Sequence, residues 1–247
     1  MTEENVLYED NHILVVNKSA GIMTQSDYRG EKSLQDGFKE YLKLKYSKPG
    51  QVFLGIVQRL DRPVSGAVIF AKTSKAAERL TDMMKERSIL KLYTAVTVNN
   101  PASISFEFQR KDFFLERDKD TSYVSKSGEK ASHTYKTILK SPSSLLHLLM
   151  LNTGRKHQIR AFFSSLKSPI IFDLKYGYPE KRSYILLHAC HTSFIHPVKK
   201  EPVSIDAPFP GYFSNYCSKE FQEDYFEAVQ NECRPIISDF MGKRIDR

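Results

Sequence analysis

The chain has 247 residues, with 37 Lys and Arg against 29 Asp and Glu and a formal net charge of +8; that length can bury a substantial core in one domain, and the basic balance points to a polyanionic partner, nucleic acid first. Cys190, Cys217 and Cys233 are widely spaced with no C-x-x-C pair, which argues against a disulfide scaffold or a zinc ribbon. The polar, acidic opening Met1-Thr2-Glu3-Glu4-Asn5 has no signal-peptide pattern, and the apolar runs near 67–71 and 145–151 are too short to span a bilayer, so a cytoplasmic protein is expected.

In chain order, 6–18 reads as two strands about a turn, the second a buried run at 13–16, and Ser19-Ala20-Gly21 is a further turn. Residues 33–46 have helical spacing, with Leu34, Phe38, Tyr41 and Leu42 on one stripe. The nonapeptide Arg59-Leu60-Asp61-Arg62-Pro63-Val64-Ser65-Gly66-Ala67 places one carboxylate between two arginines in a tight turn. The strand that follows, 64–73, is apolar on both faces and therefore central. Ser74 is predicted to cap a helix whose stripe is Ala76, Leu80, Met83 and Met84. Residues 91–98 form a strand with Leu92, Thr94, Val96 and Val98 on one face and Tyr93 on the other.

Residues 109–130 are rich in Lys, Asp and Ser and are predicted to be a solvated hairpin or mobile loop, with an RNA-touching arm as the other reading. Strands resume at 132–139 and 145–151. Thr153 and Gly154 are predicted to open a helix whose stripe is Ile159, Phe162, Phe163 and Leu166; Arg155 and Lys156 then stand at its positive end, and Arg160 lies at the border of the stripe. His188, Cys190, His191 and His196 are close in sequence, but strand alternation sends them to different faces, so no metal site is expected. From Gly211 onward one amphipathic helix and a basic tail are predicted. The elements together describe an α+β protein with a strand-rich centre and flanking helices. A single domain over 1–247 is expected, with no repeat or linker.

Two segments, Arg59 to Gly66 and Thr153-Gly154-Arg155-Lys156-His157-Gln158-Ile159-Arg160, together resemble the signature of the RluA-type pseudouridine synthases, which isomerise uridine in structured RNA. The first resembles that family's H-R-L-D-x-x-T/S-S-G pattern and the second its T-G-R-x-H-Q-I/L-R pattern. Further likenesses are the opening Tyr8-Glu9-Asp10 to Gly21, where Ser19 replaces a proline; Lys91-Leu92-Tyr93, matching K-x-Y; and Leu187-His188-Ala189 with the block through Pro210. The likeness runs from about 7 to about 210, with 211–247 as a helical tail, and without the small RNA-binding domain that often precedes the catalytic one. It implies a mixed, mainly antiparallel sheet with a cleft across its middle, and chemistry without metal or redox cofactor.

The resemblance makes Asp61 the catalytic carboxylate, attacking base or ribose or stabilising positive charge at the sugar, with Arg160 as its partner. It places Tyr93 in the cleft to stack on a flipped uracil and assist proton removal, and Arg59 on the RNA backbone or in the gap left by the flipped nucleotide. Arg62, Arg155 and Lys156 are expected to bind RNA phosphates, and the protein to act as a monomer on rRNA or tRNA. Gln58 replaces the family's histidine and Val64 its threonine, which excludes proton handling at the first position and removes a hydroxyl at the second. His188 and His196 are expected to be hydrogen-bonded core residues. Two other functions compete: an RNA-binding protein of this fold without catalysis, and a glycosidase with Asp61 as nucleophile. The latter needs a second carboxylate, and Asp173, the one tempting candidate, resembles part of the family's P-I-x-G-D-x-x-Y-G turn, with Phe172 replacing a glycine.

Overall fold

In a computed structural model of the chain, residues 3–27, 30–221 and 224–245 are described. Local sequence explains the elements. Strands β1 (Val6–Glu9) and β2 (Ile13–Lys18) flank the turn read from the sequence. Helix α1 (Leu34–Lys45) starts from Ser33, whose side chain accepts from the Asp36 N–H while Asp36 reaches back to the Ser33 N–H, a capping box. After β3 (Gly55–Ile56) comes β4 (Ser65–Ala71), every residue of which is buried. The cap of α2 (Ser74–Lys85) is Thr73, one residue before the predicted Ser74; the Thr73 hydroxyl accepts from the Ala76 N–H, and Ser74 is the first helical residue. Ala76 and Leu80 are buried, while Met83 and Met84 pack at the margin.

Strand β5 (Ile89–Val98) carries Tyr93. The 109–130 region is a strand hairpin: β6 (Gln109–Asp118) pairs with β7 (Thr121–Ser125) and with β8 (Glu129–Lys140). Strand β9 (Ser144–Leu151) precedes α3 (Gln158–Ser165), and β10 (Leu187–Ile195) and β11 (Pro202–Asp206) follow. The single helix expected at the C-terminus is instead two, α4 (Gly211–Phe221) and α5 (Tyr225–Ile245). Both bury one side against the same sheet face, Phe213, Cys217 and Phe221 from one, Tyr225, Val229 and Cys233 from the other. Asp224 Oδ1 accepts from the N–H groups of Phe226 and Glu227 at 3.0 Å and starts the second helix. Residues 246 and 247 of the expected basic tail lie outside the described residues.

The sheet has 11 strands in the order β1-β2-β4-β10-β5-β9-β8-β6-β7, with β11 on β10 and β3 on β4. Its pairings are antiparallel apart from β4 with β10, the mixed, mainly antiparallel arrangement expected. At that parallel contact Gly66 has φ +119°, and a Cβ there would lie 2.3 Å from the Ala189 carbonyl oxygen, so only glycine fits. On one face α1 and α3 pack over Val16, Val68, Phe70, Tyr93 and Leu149; on the other α4 and α5 cover Leu92, Val96 and Leu148. The three cysteines are buried free thiols.

Candidate active site

The turn carrying Asp61 is fastened from several sides. The Leu60 carbonyl accepts from the Thr24 hydroxyl at 3.0 Å, and the Leu60 N–H donates to the same oxygen at 3.1 Å. The Arg62 carbonyl accepts from the Gly21 N–H at 2.8 Å and from Lys18 Nζ at 3.2 Å. The Pro63 carbonyl accepts from the Ile185 N–H at 3.1 Å, and the Val64 N–H closes the turn onto the Asp61 carbonyl at 3.0 Å. Lys18 is fully buried. Burial pushes its amine down to about 7, although the Asp61 carboxylate pulls the other way. These hydrogen bonds restrain the loop that carries the Asp61 side chain.

Arg160 comes from α3. The expectation that Thr153 and Gly154 open this helix does not hold: it begins at Gln158, because His157 adopts a left-handed φ of 54°. The preceding residues are a loop held by the Gln158 side chain, whose Oε1 accepts from the Thr153 hydroxyl at 2.7 Å and the Arg155 N–H at 3.1 Å. Arg155 and Lys156 therefore do not stand in a helical first turn. Arg155 pairs with Glu129 at 3.1 Å, and Lys156 Nζ reaches the Lys119 carbonyl at 3.5 Å.

Arg160 is more buried than its position suggested, 4% exposed. Its Nε and Nη2 donate to Asp173 Oδ2 and Oδ1 at 2.7 and 2.8 Å, while Nη1 donates to Asp61 Oδ2 at 3.1 Å. Burial alone would lower its proton affinity; the carboxylates more than offset this and raise it. Its guanidinium also lies 4.8 Å from the centre of the Tyr176 ring.

Asp61 itself is partly open, with 27% of its side chain exposed. Oδ2 is anchored by Arg160 and faced by His157 Nε2 at 3.6 Å. Among the described residues no hydrogen bond reaches Oδ1. The Tyr176 hydroxyl accepts from the Ser122 N–H at 2.8 Å and shares a hydrogen bond with His157 Nδ1, also at 2.8 Å, while Nε2 faces Asp61. Burial pushes His157 down to about 4 against the pull of Asp61, keeping it neutral near pH 7.

Tyr93 enters from β5, two strands from β4 with β10 between. Its hydroxyl is pushed up by burial and by the nearby Asp61 carboxylate. It lines a cleft of about 400 Å³ with Gln58, Arg59, Lys91 and Gly154 among the other walls. Arg59 is exposed at this cleft, and Gln58 donates to the Ala67 carbonyl at 3.2 Å. Arg62 is exposed and bound to Glu31 through both terminal nitrogens at 2.9 and 2.6 Å. Val64 is buried in the core.

Sequence reasoning missed His157 and Tyr176, and favoured a turn role for Asp173 after weighing it as a second carboxylate. Asp173 does sit in that turn, 1% exposed, with both oxygens on Arg160; it cannot serve as the acid/base partner of a glycosidase. The D-x-x-Y-G spacing, Asp173 to Gly177, was the available signal. The four residues weighed as metal ligands have separate surroundings. His188 bridges the Ser65 hydroxyl and the Ala207 carbonyl, Cys190 lies in the core, His191 meets Asp206, and His196 meets Asp10 at 3.0 Å. No helix among the described residues is long and apolar enough to cross a membrane.

The arrangement offers an anchored carboxylate with one oxygen available, beside an aromatic wall and a basic rim. A family model described as RNA pseudouridylate synthase matches residues 12–165. The chain is 31% identical over 236 residues to the Bacillus subtilis (strain 168) uncharacterized RNA pseudouridine synthase YhcT, covering 89% of this chain and 73% of that protein. It is 32% identical over 231 residues to the ribosomal large subunit pseudouridine synthase C of Buchnera aphidicola subsp. Acyrthosiphon pisum (strain APS), covering 85% and 69%. Among solved structures, human RNA pseudouridylate synthase domain containing 4 shares the fold with a TM-score of 0.71 at 21% identity, over 87% of this chain and 92% of that one. Fold, motifs and relatives agree: the chain belongs to the RNA pseudouridylate synthase family of isomerases.

Proposed function

We propose that this protein converts specific uridines of ribosomal RNA to pseudouridine, with Asp61 as the catalytic carboxylate. The observation that carries the reading is Asp61 itself, held at Oδ2 by Arg160 and partly exposed, with no hydrogen bond to Oδ1 among the described residues. The reaction breaks the bond from ribose C1′ to N1 and forms one from C1′ to C5. The proton leaves C5, N1 gains one, and the overall composition is unchanged. Arg160 keeps the carboxylate charged and aimed, the Tyr93 ring stacks on the flipped uracil, and its hydroxyl assists removal of the C5 proton.

Arg59, Arg62, Arg155 and Lys156 contact the RNA backbone. Arg62 and Arg155 do so by exchanging Glu31 and Glu129 for phosphate. The ribosomal assignment is supported by relatives named for the large ribosomal subunit at about 30% identity over most of the chain; these bacterial relatives also favour a cytoplasmic site of action. Base-resolved pseudouridine mapping of total RNA, with and without the protein, is the test. Marks lost from large-subunit rRNA are expected; marks lost only from tRNA would redirect the substrate, and no lost marks would leave a binding protein of this fold.

A further inference from the structure

Among the described residues, Lys91 is the one lysine that lines the Tyr93 cleft. It stands two residues before Tyr93 on β5, so both side chains project from the same face. Its amine makes no hydrogen bond or ion pair among the described residues. Burial pushes it down to about 8, with no opposing carboxylate. Across from it, a side chain at Gly154 would begin 4.0 Å from Lys91 Nζ, so the missing side chain leaves room above the amine. Among the described residues the charged groups lining this cleft are Lys91 and Arg59, and no carboxylate among them lines it.

We infer that Lys91 and the space left by Gly154 form a phosphodiester subsite for the nucleotide whose base stacks on Tyr93. The inference rests on the proposed isomerase reading and deepens it. Neighbouring same-face residues of a strand are about 7 Å apart, comparable to the separation of base and phosphate within one nucleotide. A partly buried amine without a partner is costly to keep charged, and an entering phosphate supplies the missing partner. Arg62 and Arg155 already hold carboxylates at 2.6 and 3.1 Å; Lys91 has none to displace. Of the cleft's cations it lies on the strand, where geometry is fixed, so it selects a flipped nucleotide over one left in the helix.

Two probes test this. Uridine 5′-monophosphate and uridine, titrated into the protein by saturation-transfer NMR, isolate the phosphate without any need for the natural RNA. Wild type is expected to prefer the monophosphate by on the order of tenfold, as for a hydrogen bond to a charged group. Lys91→Met is expected to bind the two alike, and Lys91→Arg to keep the preference. With a large-subunit rRNA transcript, Lys91→Met is expected to reduce the slope of log affinity against log salt by about one. Unfolding midpoints no lower than wild type exclude a folding defect. A wild type with no preference for the monophosphate, or a Lys91→Met variant that retains the wild-type preference and slope, would overturn the subsite. Absence of pseudouridine from rRNA treated with wild type would undo the substrate reading and leave the mononucleotide comparison standing.

Discussion

Asp61 and Asp173 share one guanidinium and differ in everything else. Asp173 is sealed, its two oxygens on Nε and Nη2 of Arg160; Asp61 takes the remaining nitrogen with one oxygen, and no other described residue hydrogen-bonds its second. The sealed carboxylate fixes the arginine, and the fixed arginine aims the open carboxylate. A fully satisfied carboxylate is a structural part, and a half-satisfied one on the same cation is available for chemistry. Glu9 illustrates the first kind elsewhere in the fold: its oxygens are taken by Lys72, Lys45 and Tyr46 at 2.6 to 2.9 Å.

Asp61→Asn should break the open side of this pair without disturbing the sealed side. Asparagine keeps the shape but is a poor nucleophile without charge. Pseudouridine formation is expected to fall below detection while stability stays within about 1 kcal/mol and RNA affinity is retained or slightly tightened. Turnover near the wild-type rate in purified Asp61→Asn would remove the catalytic assignment.

Arg160→Met strands Asp173 in the core and is expected to cost about 3–5 kcal/mol in urea unfolding, along with most of the turnover. Arg160→Lys keeps the charge but cannot bridge two carboxylates, so it should fall between. Equal, small losses in stability for both would show that the sealed pair is not the anchor.

Tyr93→Phe keeps the aromatic ring that is proposed to stack and removes the hydroxyl. RNA affinity close to wild type with a lower single-turnover rate is expected; full activity would reassign the hydroxyl and leave stacking intact. Smaller still is the effect of Arg59→Ala, which should lower the salt slope of RNA binding by about one. Arg62→Ala should change it less, because Arg62 already has Glu31 as a built-in counterion.

The last test concerns pH. Burial pushes His133 and His147 down to about 3 and His157 and His188 down to about 4. Unfolding lets each take up a proton at its ordinary value near 6.5. Their contribution is therefore fully present above that value and is lost as pH falls toward the folded ones. Urea midpoints should decline steadily from about pH 7 to about pH 5; a flat profile would show that these imidazoles are already charged in the fold.

Strands and helices were largely readable because their burial repeats along the chain, as in the all-apolar 64–73 run or the stripe through Phe38 and Leu42. The start of α3 was not. Thr153 looks like a cap, but its hydroxyl goes to Gln158 Oε1, a side chain five residues on, and His157 takes a left-handed turn that composition does not announce. The split of the C-terminal helix was hidden for a similar reason: both halves are apolar toward the same sheet face, so periodicity alone reads as one helix. At the site, Asp61, Tyr93 and Arg160 were found through motif resemblance. Asp173 was seen but undervalued, because its importance lies in sharing a cation with a residue 112 positions away, 173 less 61, and no local pattern carries that.

The backbone N–H of Ser122, on the hairpin strand β7, donates to the Tyr176 hydroxyl, and that hydroxyl positions the imidazole facing Asp61. The hairpin and the Asp61 carboxylate are thereby linked through two side chains, Tyr176 and His157. A change in hairpin length beyond Ser122 would leave the Ser122–Tyr176 and Tyr176–His157 hydrogen bonds in place. The length of the hairpin and the surroundings of Asp61 are thus separable features of the fold.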